Sequence, residues 1–159
     1  MRDDEFVVVN CMFVFSRMLS AELALEKVLL KVRDAIKADI MIVAEHDANH
    51  NQSDFLLRFD ASLKYYSSLF EGNRYTHEVE LYFKYQISNL VACEGSNRVE
   101  RHLTWAQWKS LLTRYGFSIV NLSAVGIDTE NGILVIRGTE EKQPLFFISA
   151  WKTSTSPFK

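Results

Sequence analysis

Ile40-Met41-Ile42-Val43-Ala44 is an unbroken apolar run, and Phe6-Val7-Val8-Val9-Asn10 is an earlier one of the same kind. Neither alternates apolar with polar residues, so each reads as a strand covered on both faces, as in a buried parallel sheet. The segment between them, Ala21 to Lys37, carries Leu25, Val28, Leu29, Val32 and Ile36 at helical spacing, which makes one apolar stripe. Ser20 is its expected N-cap. Strand, helix and strand in that order predict an α/β fold.

Downstream, Glu45 to Gln52 is polar and reads as a loop at the carboxyl end of the second strand. Ser53 is the expected cap of a helix on which Leu56, Phe59, Leu63, Tyr66 and Phe70 share a face, with Gly72 ending it. Thr76 opens a third helix carrying Val79, Tyr82, Phe83, Gln86, Ile87 and Leu90, which runs to about Cys93 and stops at Gly95. Thr104-Trp105-Ala106-Gln107 has the capping-box form, in which a hydroxyl and an amide three residues on serve two free backbone N–H groups. The helix it opens presents Trp105, Trp108, Leu111, Leu112 and Tyr115 and ends at Gly116. Two strands, Ile133 to Arg137 and Leu145 to Trp151, flank a polar Gly138–Gln143 hairpin loop. The predicted sheet is mostly parallel with a C-terminal antiparallel hairpin, and helices lie on both faces. There is no internal repeat or low-complexity tract.

Eighteen basic and twenty acidic side chains leave a net charge of −2, so no global field draws the chain to phosphate backbones or anionic lipids. Cys11 and Cys93 lie far apart among apolar residues, which argues against a disulfide framework. No apolar stretch reaches the ~18 residues of a membrane span. The opening Met1-Arg2-Asp3-Asp4-Glu5 lacks the basic-then-apolar order of a signal peptide. A soluble intracellular chain is expected. A buried strand so near the N-terminus further predicts that the chain starts inside a fold.

Two polar clusters are candidates for chemistry. His46 and His50 stand four apart in Glu45-His46-Asp47-Ala48-Asn49-His50-Asn51, a spacing that could serve a metal on a helix. The segment reads as loop and is not H-E-x-x-H, so polar residues bonding to one another is the expectation. Glu94, Arg98, Glu100, Arg101 and His102 form a dense charge cluster, expected as an ion-pair network bracing a loop. No nucleophile-plus-base arrangement accompanies it. Trp105 and Trp108 cannot both lie fully on one helical face, so one is expected to be partly exposed. Neither strand is followed by the glycine turn that dinucleotide and S-adenosylmethionine sites require; Cys11-Met12-Phe13-Val14-Phe15 follows the first. No catalytic residue, cofactor or metal is expected.

Several strings resemble one family. Val7-Val8-Val9-Asn10-Cys11-Met12-Phe13 is similar to the V-N-C-x-[FY] strand of GRAS proteins, and Glu45 to Asn51 to their E-x-x-A-N-H-N stretch, especially in DELLA-like members. Arg58-Phe59 with Tyr65-Tyr66-Ser67-Ser68-Leu69-Phe70 resembles the R-F-x-x-x-L-x-x-Y-S-x-x-F helix. Asn89 to Gly95 followed by Arg98-Val99-Glu100-Arg101-His102 resembles the N-[IV]-[VI]-A-C-E-G-x-x-R-x-E-R-H segment of the PFYRE region, and Ser149-Ala150-Trp151 the SAW motif. The chain departs from the pattern at Tyr85-Gln86, at Arg137-Gly138 and in a shortened helical stretch between Phe117 and Gly132.

The resemblance implies a class I methyltransferase-like, Rossmann-like sheet, of which this chain supplies strands 4, 5, 7 and 6. Residues 1–152 would be the C-terminal portion of a GRAS domain, without its cap and VHIID region, and 153–159 a polar tail. The first strand would then be an open sheet edge. The implied function is that of a nuclear transcriptional regulator, which engages DNA-binding transcription factors or other GRAS proteins. Direct DNA contact has only weak support from charge, and no membrane is involved. Glu94, Arg98, Glu100, Arg101, Trp105, Trp108 and Trp151 are the interface or scaffold candidates. The alternative is a methyltransferase-like enzyme, which the absent glycine turn disfavours.

Overall fold

The computed structural model describes residues 5–21, 23–71, 74–125, 129–138 and 143–154. Among the described residues, five strands form one sheet. Strands β1 (Val8–Met12) and β2 (Ile40–His46) pair in parallel, with Val8 opposite Ile40 and Met12 opposite Ala44. Strand β5 (Pro144–Thr153) lies antiparallel on the other edge of β2, with Met41 opposite Trp151 and His46 opposite Phe146. The far edge of β5 is shared end to end by β3 (Phe117–Val120) and β4 (Leu134–Arg137), both antiparallel to it. Four strands therefore run one way and β5 alone runs against them. In the implied numbering this is the order 4-5-7-6, and β4–β5 is the expected hairpin. Its expected loop lies outside the described residues at 139–142, as does the expected tail from 155 onward.

Two strand expectations change. The first strand runs over Val8–Met12 rather than from Phe6, and it is not covered on both faces: Val8 and Met12 are exposed while Cys11 is buried. Among the described residues it has a neighbour on one edge only, β2. β2 does match the doubly covered reading, since none of its seven residues is exposed. Phe117–Val120, taken as part of a shortened helical stretch, is instead a strand. Gly116, with φ +86°, turns the chain out of the preceding helix into it. That left-handed conformation costs glycine nothing.

The helices pack on both faces. A short helix α1 (Phe15–Met18), not expected from the sequence, leads to α2 (Ala24–Leu30), which widens into a π-helix over Lys31–Ile36. Ser20 does not cap α2; its hydroxyl donates to the Arg17 carbonyl at 2.7 Å, and Leu23 precedes the helix at φ 59°. The predicted stripe holds, with Leu25, Leu29 and Val32 buried and Val28 and Ile36 packed on them. Helix α3 (Phe55–Phe70) is capped by Asp54, whose carboxylate accepts from the Leu57 N–H at 2.9 Å, one residue past the expected Ser53. The expected terminator Gly72 lies outside the described residues. Helix α4 (His77–Ala92) follows Thr76, whose side chain makes no cap hydrogen bond. Helix α5 (Trp105–Arg114) has the full Thr104–Gln107 capping box.

The larger core gathers Phe15, Leu29, Met41, Val43, Trp108, Leu112, Phe117, Phe147 and Trp151 about the middle of the sheet. A second core, with Tyr65, Tyr66, Leu69, Phe83 and Leu90, lies between α3, α4 and the carboxyl end of β2. The predicted apolar face of α3 packs only in part: Tyr66 lies in this core and Phe70 meets the Tyr66, Tyr75 and Phe83 rings at 6.3, 5.7 and 5.6 Å. Leu56 (71% exposed), Leu63 (57%), Phe59 and Phe70 face outward, and Arg58, Ser62, Tyr65, Tyr66, Ser68 and Leu69 face in. Gly138 permits that packing, because a Cβ there would lie 2.2 Å from the Ser68 hydroxyl.

Candidate functional site

The two polar clusters meet at the carboxyl end of β2. Continuing from an interior strand, the segment from Glu45 to His50 goes inward rather than out to solvent: Glu45, His46, Ala48 and His50 are all buried. Glu45 accepts the Phe15 N–H at 2.7 Å and the Ser16 N–H at 3.4 Å, and so ties the start of α1 to β2. Its other oxygen has no partner among the described residues. Burial pushes this carboxyl up to about 7, against the backbone N–H groups, which favour the charged form. Asp47 accepts the Trp105 N–H at 2.8 Å and thereby fixes the start of α5.

Three imidazoles pack together beneath these ties. The Tyr65 hydroxyl donates to the Leu145 carbonyl at 2.7 Å, so its contact with His46 Nδ1 at 2.7 Å requires an N–H on that nitrogen. His102 Nε2 lies 3.2 Å from the Glu100 carboxylate and donates to it. That leaves Nδ1 of neutral His102 as the acceptor for His50 Nδ1–H at 2.9 Å. The His46 and His102 rings stack at 4.2 Å, and His50 stacks on Tyr66 at 5.9 Å. Burial, then the neighbouring imidazoles, hold His46 and His102 well below the usual histidine range, and burial brings His50 down to about 4. Among the described residues, no three His, Cys, Asp or Glu side chains are placed to hold a metal ion.

Residues 94–102 wrap this cluster. Asn89, near the end of α4, accepts the N–H groups of Val99 and Glu100 at 2.8 and 2.9 Å and donates to the Asn97 carbonyl at 3.0 Å. Glu100 is buried and joins Arg17 at 3.0 Å on one oxygen and His102 on the other. Arg98, also buried, donates to the His50 carbonyl at 2.9 Å. Its pKa is lowered by burial and by the nearby cations Arg101 and Arg58. Arg101 reaches Asn51 at 3.1 Å and the Gly95 carbonyl at 2.8 Å. Glu94 pairs with Arg58, a fully buried arginine that also donates to the carbonyls of Leu90, Gln52 and Ser53 at 2.9, 3.0 and 3.2 Å.

The structure thus brings Glu94, Arg98, Glu100 and Arg101 together, but each against a partner in another segment rather than as pairs among themselves. The tryptophans lie elsewhere, in the main core. Trp108 and Trp151 are fully buried; Trp105 is half-buried, 4.9 Å from the Phe147 ring and 5.9 Å from Trp151. Trp151 donates through its indole N–H to Ser149 at 2.8 Å. Arg58, Arg17 and Asn89 carry as much of this network, and none of them belonged to either polar cluster marked from the sequence. Arg58 had one legible signal, its place on the stripe with Ser62, Tyr65 and Leu69 at helical spacing. Cys11 and Cys93 are both free, the first buried and the second half-buried.

The arrangement is a latch: the 45–52 and 94–104 segments interlock and tie down the starts of α1, α3 and α5. At the carboxyl end of β1 and β2, Phe13, His46 and Phe146 pack within 5.5 Å of one another.

The architecture is that of a GRAS-type Rossmann-like sheet. Residues 1–142 match the GRAS domain family, and the chain belongs to it. It is 36% identical to the DELLA protein GAIP of Cucurbita maxima over 96% of this chain and 30% of that protein. It is 38% identical to the DELLA protein RGL3 of Arabidopsis thaliana over 94% of this chain and 33% of that protein. The crystal structure of SCL7 from Oryza sativa superposes with a TM-score of 0.74 at 26% identity, covering 96% of this chain and 49% of that one. The chain spans about a third of the length of these curated relatives.

Proposed function

We propose that the chain is part of a GRAS-type transcriptional regulator that works in the nucleus by binding partner proteins, DNA-binding transcription factors or other GRAS proteins, and not by catalysis. One observation carries the reading. The charged side chains that looked most like a reaction centre are engaged with side chains of other segments and with backbone groups, and aromatic rings pack at the carboxyl end of β1 and β2. In this reading Glu94, Arg98, Glu100, Arg101, Trp108 and Trp151 are scaffold, and they hold rigid the surface that partners meet. Trp105, half-buried at the start of α5, is the scaffold residue nearest that surface.

The test is affinity capture from plant nuclei, with and without nuclease, read by mass spectrometry. The expected result is enrichment of DNA-binding factors or GRAS proteins that survives nuclease. Loss of all enrichment after nuclease would mean DNA contact instead. Heat on titration with S-adenosylmethionine would favour the enzyme reading.

A further inference from the structure

Phe59, Leu63, Tyr66 and Phe70 of α3, with Ile87 and Val91 of α4, line an apolar groove of about 380 Å³, within the size range of small-molecule sites. Ser62 and Ser67 complete the lining, and no described residue in it is charged. The polar groups differ in what they meet. The Tyr66 hydroxyl donates to the Gln86 side-chain oxygen at 3.2 Å, and Ser67 is exposed. Ser62 is buried, and its hydroxyl has no hydrogen-bond partner among the described residues. A buried hydroxyl without a partner is costly, and folded chains satisfy nearly all such groups. In this groove that capacity is left over beside an apolar space.

We propose that the groove is a binding site for a neutral, elongated aliphatic molecule carrying one hydroxyl group, which the Ser62 hydroxyl holds. Each part of that description comes from the lining. A charged ligand would leave water with no counter-charge to meet it, so the ligand is neutral. The apolar side chains take an aliphatic body. Phe59 to Phe70 spans about three turns of α3, roughly 16 Å, so the body is long rather than round. A hydroxyl both donates and accepts, and it pairs with Ser62 whichever way that O–H turns. The anchor is sunk, since Ser62 is only 3% exposed. A slender chain reaches it where a helix, about 10 Å across, does not. The proposal is independent of the regulatory reading, since it concerns the purified chain alone.

Displacement of the neutral fluorescent dye N-phenylnaphthylamine tests it, with decanol and decanoate as competitors. The proteins are the purified chain and its Ser62→Ala, Leu63→Glu and Leu56→Glu variants. Decanol is expected to displace the dye at micromolar concentration, and decanoate to be weaker by at least about tenfold. Ser62→Ala weakens decanol by about tenfold, through the loss of one hydrogen bond. Leu63→Glu puts a charge in the lining and abolishes dye uptake, whereas Leu56→Glu, on the same helix outside the lining, changes neither. Both leucines are exposed, so these variants keep the parent's circular dichroism. A urea melt of ligand-free Ser62→Ala gives a separate reading: its midpoint holds or rises, because an unpaired buried hydroxyl is removed. A chain that takes up no dye overturns the proposal. So does decanoate that matches decanol, a Ser62→Ala chain that binds decanol like the parent, or Leu56→Glu that acts like Leu63→Glu. A lower midpoint in Ser62→Ala overturns it too, since the hydroxyl would then be bonded within the chain.

Discussion

The two faces of α3 invert the usual order. Inward lie Arg58, Ser62 and Ser68 beside Tyr65 and Leu69; outward lie Leu56, Phe59 and Leu63. The inner face is polar because of what it meets. The last carbonyls of a helix lack intrahelical partners, and Leu90 at the end of α4 is one of them, next to the carbonyls of Gln52 and Ser53. A guanidinium, with its forked donors, serves all three and Glu94 as well. The outer face is apolar, and no layer of the described residues covers Leu56, Phe59 or Leu63. Burial here follows the availability of hydrogen-bond partners and of a neighbouring layer, not the hydropathy of the side chain alone.

That contrast can be broken by substitution. Arg58→Met keeps most of the volume but leaves the carbonyls of Leu90, Gln52 and Ser53 without their donor, while Glu94, 62% exposed, turns to water, and stability is expected to fall by about 3 kcal/mol. The shift of the urea midpoint measures it, and a loss below ~1 kcal/mol would make the inner face ordinary packing.

The next effect comes from pH. The three imidazoles are neutral in the folded chain, and a further proton on His102 Nδ1 would set two N–H groups head to head across 2.9 Å. The groups facing them are Glu100, Arg17, Tyr65 and Tyr66, and only one of these, Glu100, is anionic. Histidines in the unfolded chain take up protons near 6.5, whereas the folded ones do so far lower, His50 at about 4. Their stabilising contribution is therefore present above pH 6.5 and lost as pH falls below it. Glu45 acts in the opposite sense: with a pKa of about 7 against 4.5, its contribution is present below 4.5 and lost as pH rises through 7. Three protons against one leave a net loss of about 3 kcal/mol per pH unit on acidification below 6.5. Urea melts at successive pH values measure this slope; a flat profile from 7 to 5 would show that the imidazole cluster opens without cost.

The smallest effect sharpens the other side. Leu63→Ser, on the outer face, is expected to change the stability of the single chain by less than ~0.5 kcal/mol. A larger loss in a urea melt, at a concentration where the chain is monomeric, would mean that the face is covered from within.

Much of the fold was legible in the sequence because it rests on local patterns. The continuous runs at β1 and β2, the α2 stripe and the Thr104–Gln107 box each state their structure over a few residues, and order 4-5-7-6 followed from the resemblance. The α3 face was not legible. Its outward residues have a cleaner apolar period than its inward ones, and only the distant carbonyls of α4 and of residues 52–53 make Arg58 an interior residue. β3 escaped for a related reason: Phe117–Val120 is short and lies directly after a helix, and it is a strand because β5 offers an edge there. In the polar site, the composition of residues 45–51 and 94–102 marked both segments. Their interlocking, His50 to His102 and Arg98 to the His50 carbonyl, depends on tertiary placement that spacing does not encode.

The long strand β5 sits between β2 and the paired short strands β3 and β4, so it is the middle of the sheet although it is the last of the described strands along the chain. Ser149 reaches Val43 across 106 residues of sequence. A ribosome adds roughly 5–20 residues each second, so the inner edge of β2 waits on the order of 5–20 seconds for its partner during synthesis. Throughout that interval Ile40–His46 lacks its β5 neighbour and has only β1 to pair with. The growing chain is therefore a natural client for whatever shields nascent polypeptides, and a stop anywhere between β2 and β5 would release a product with its sheet split down the centre.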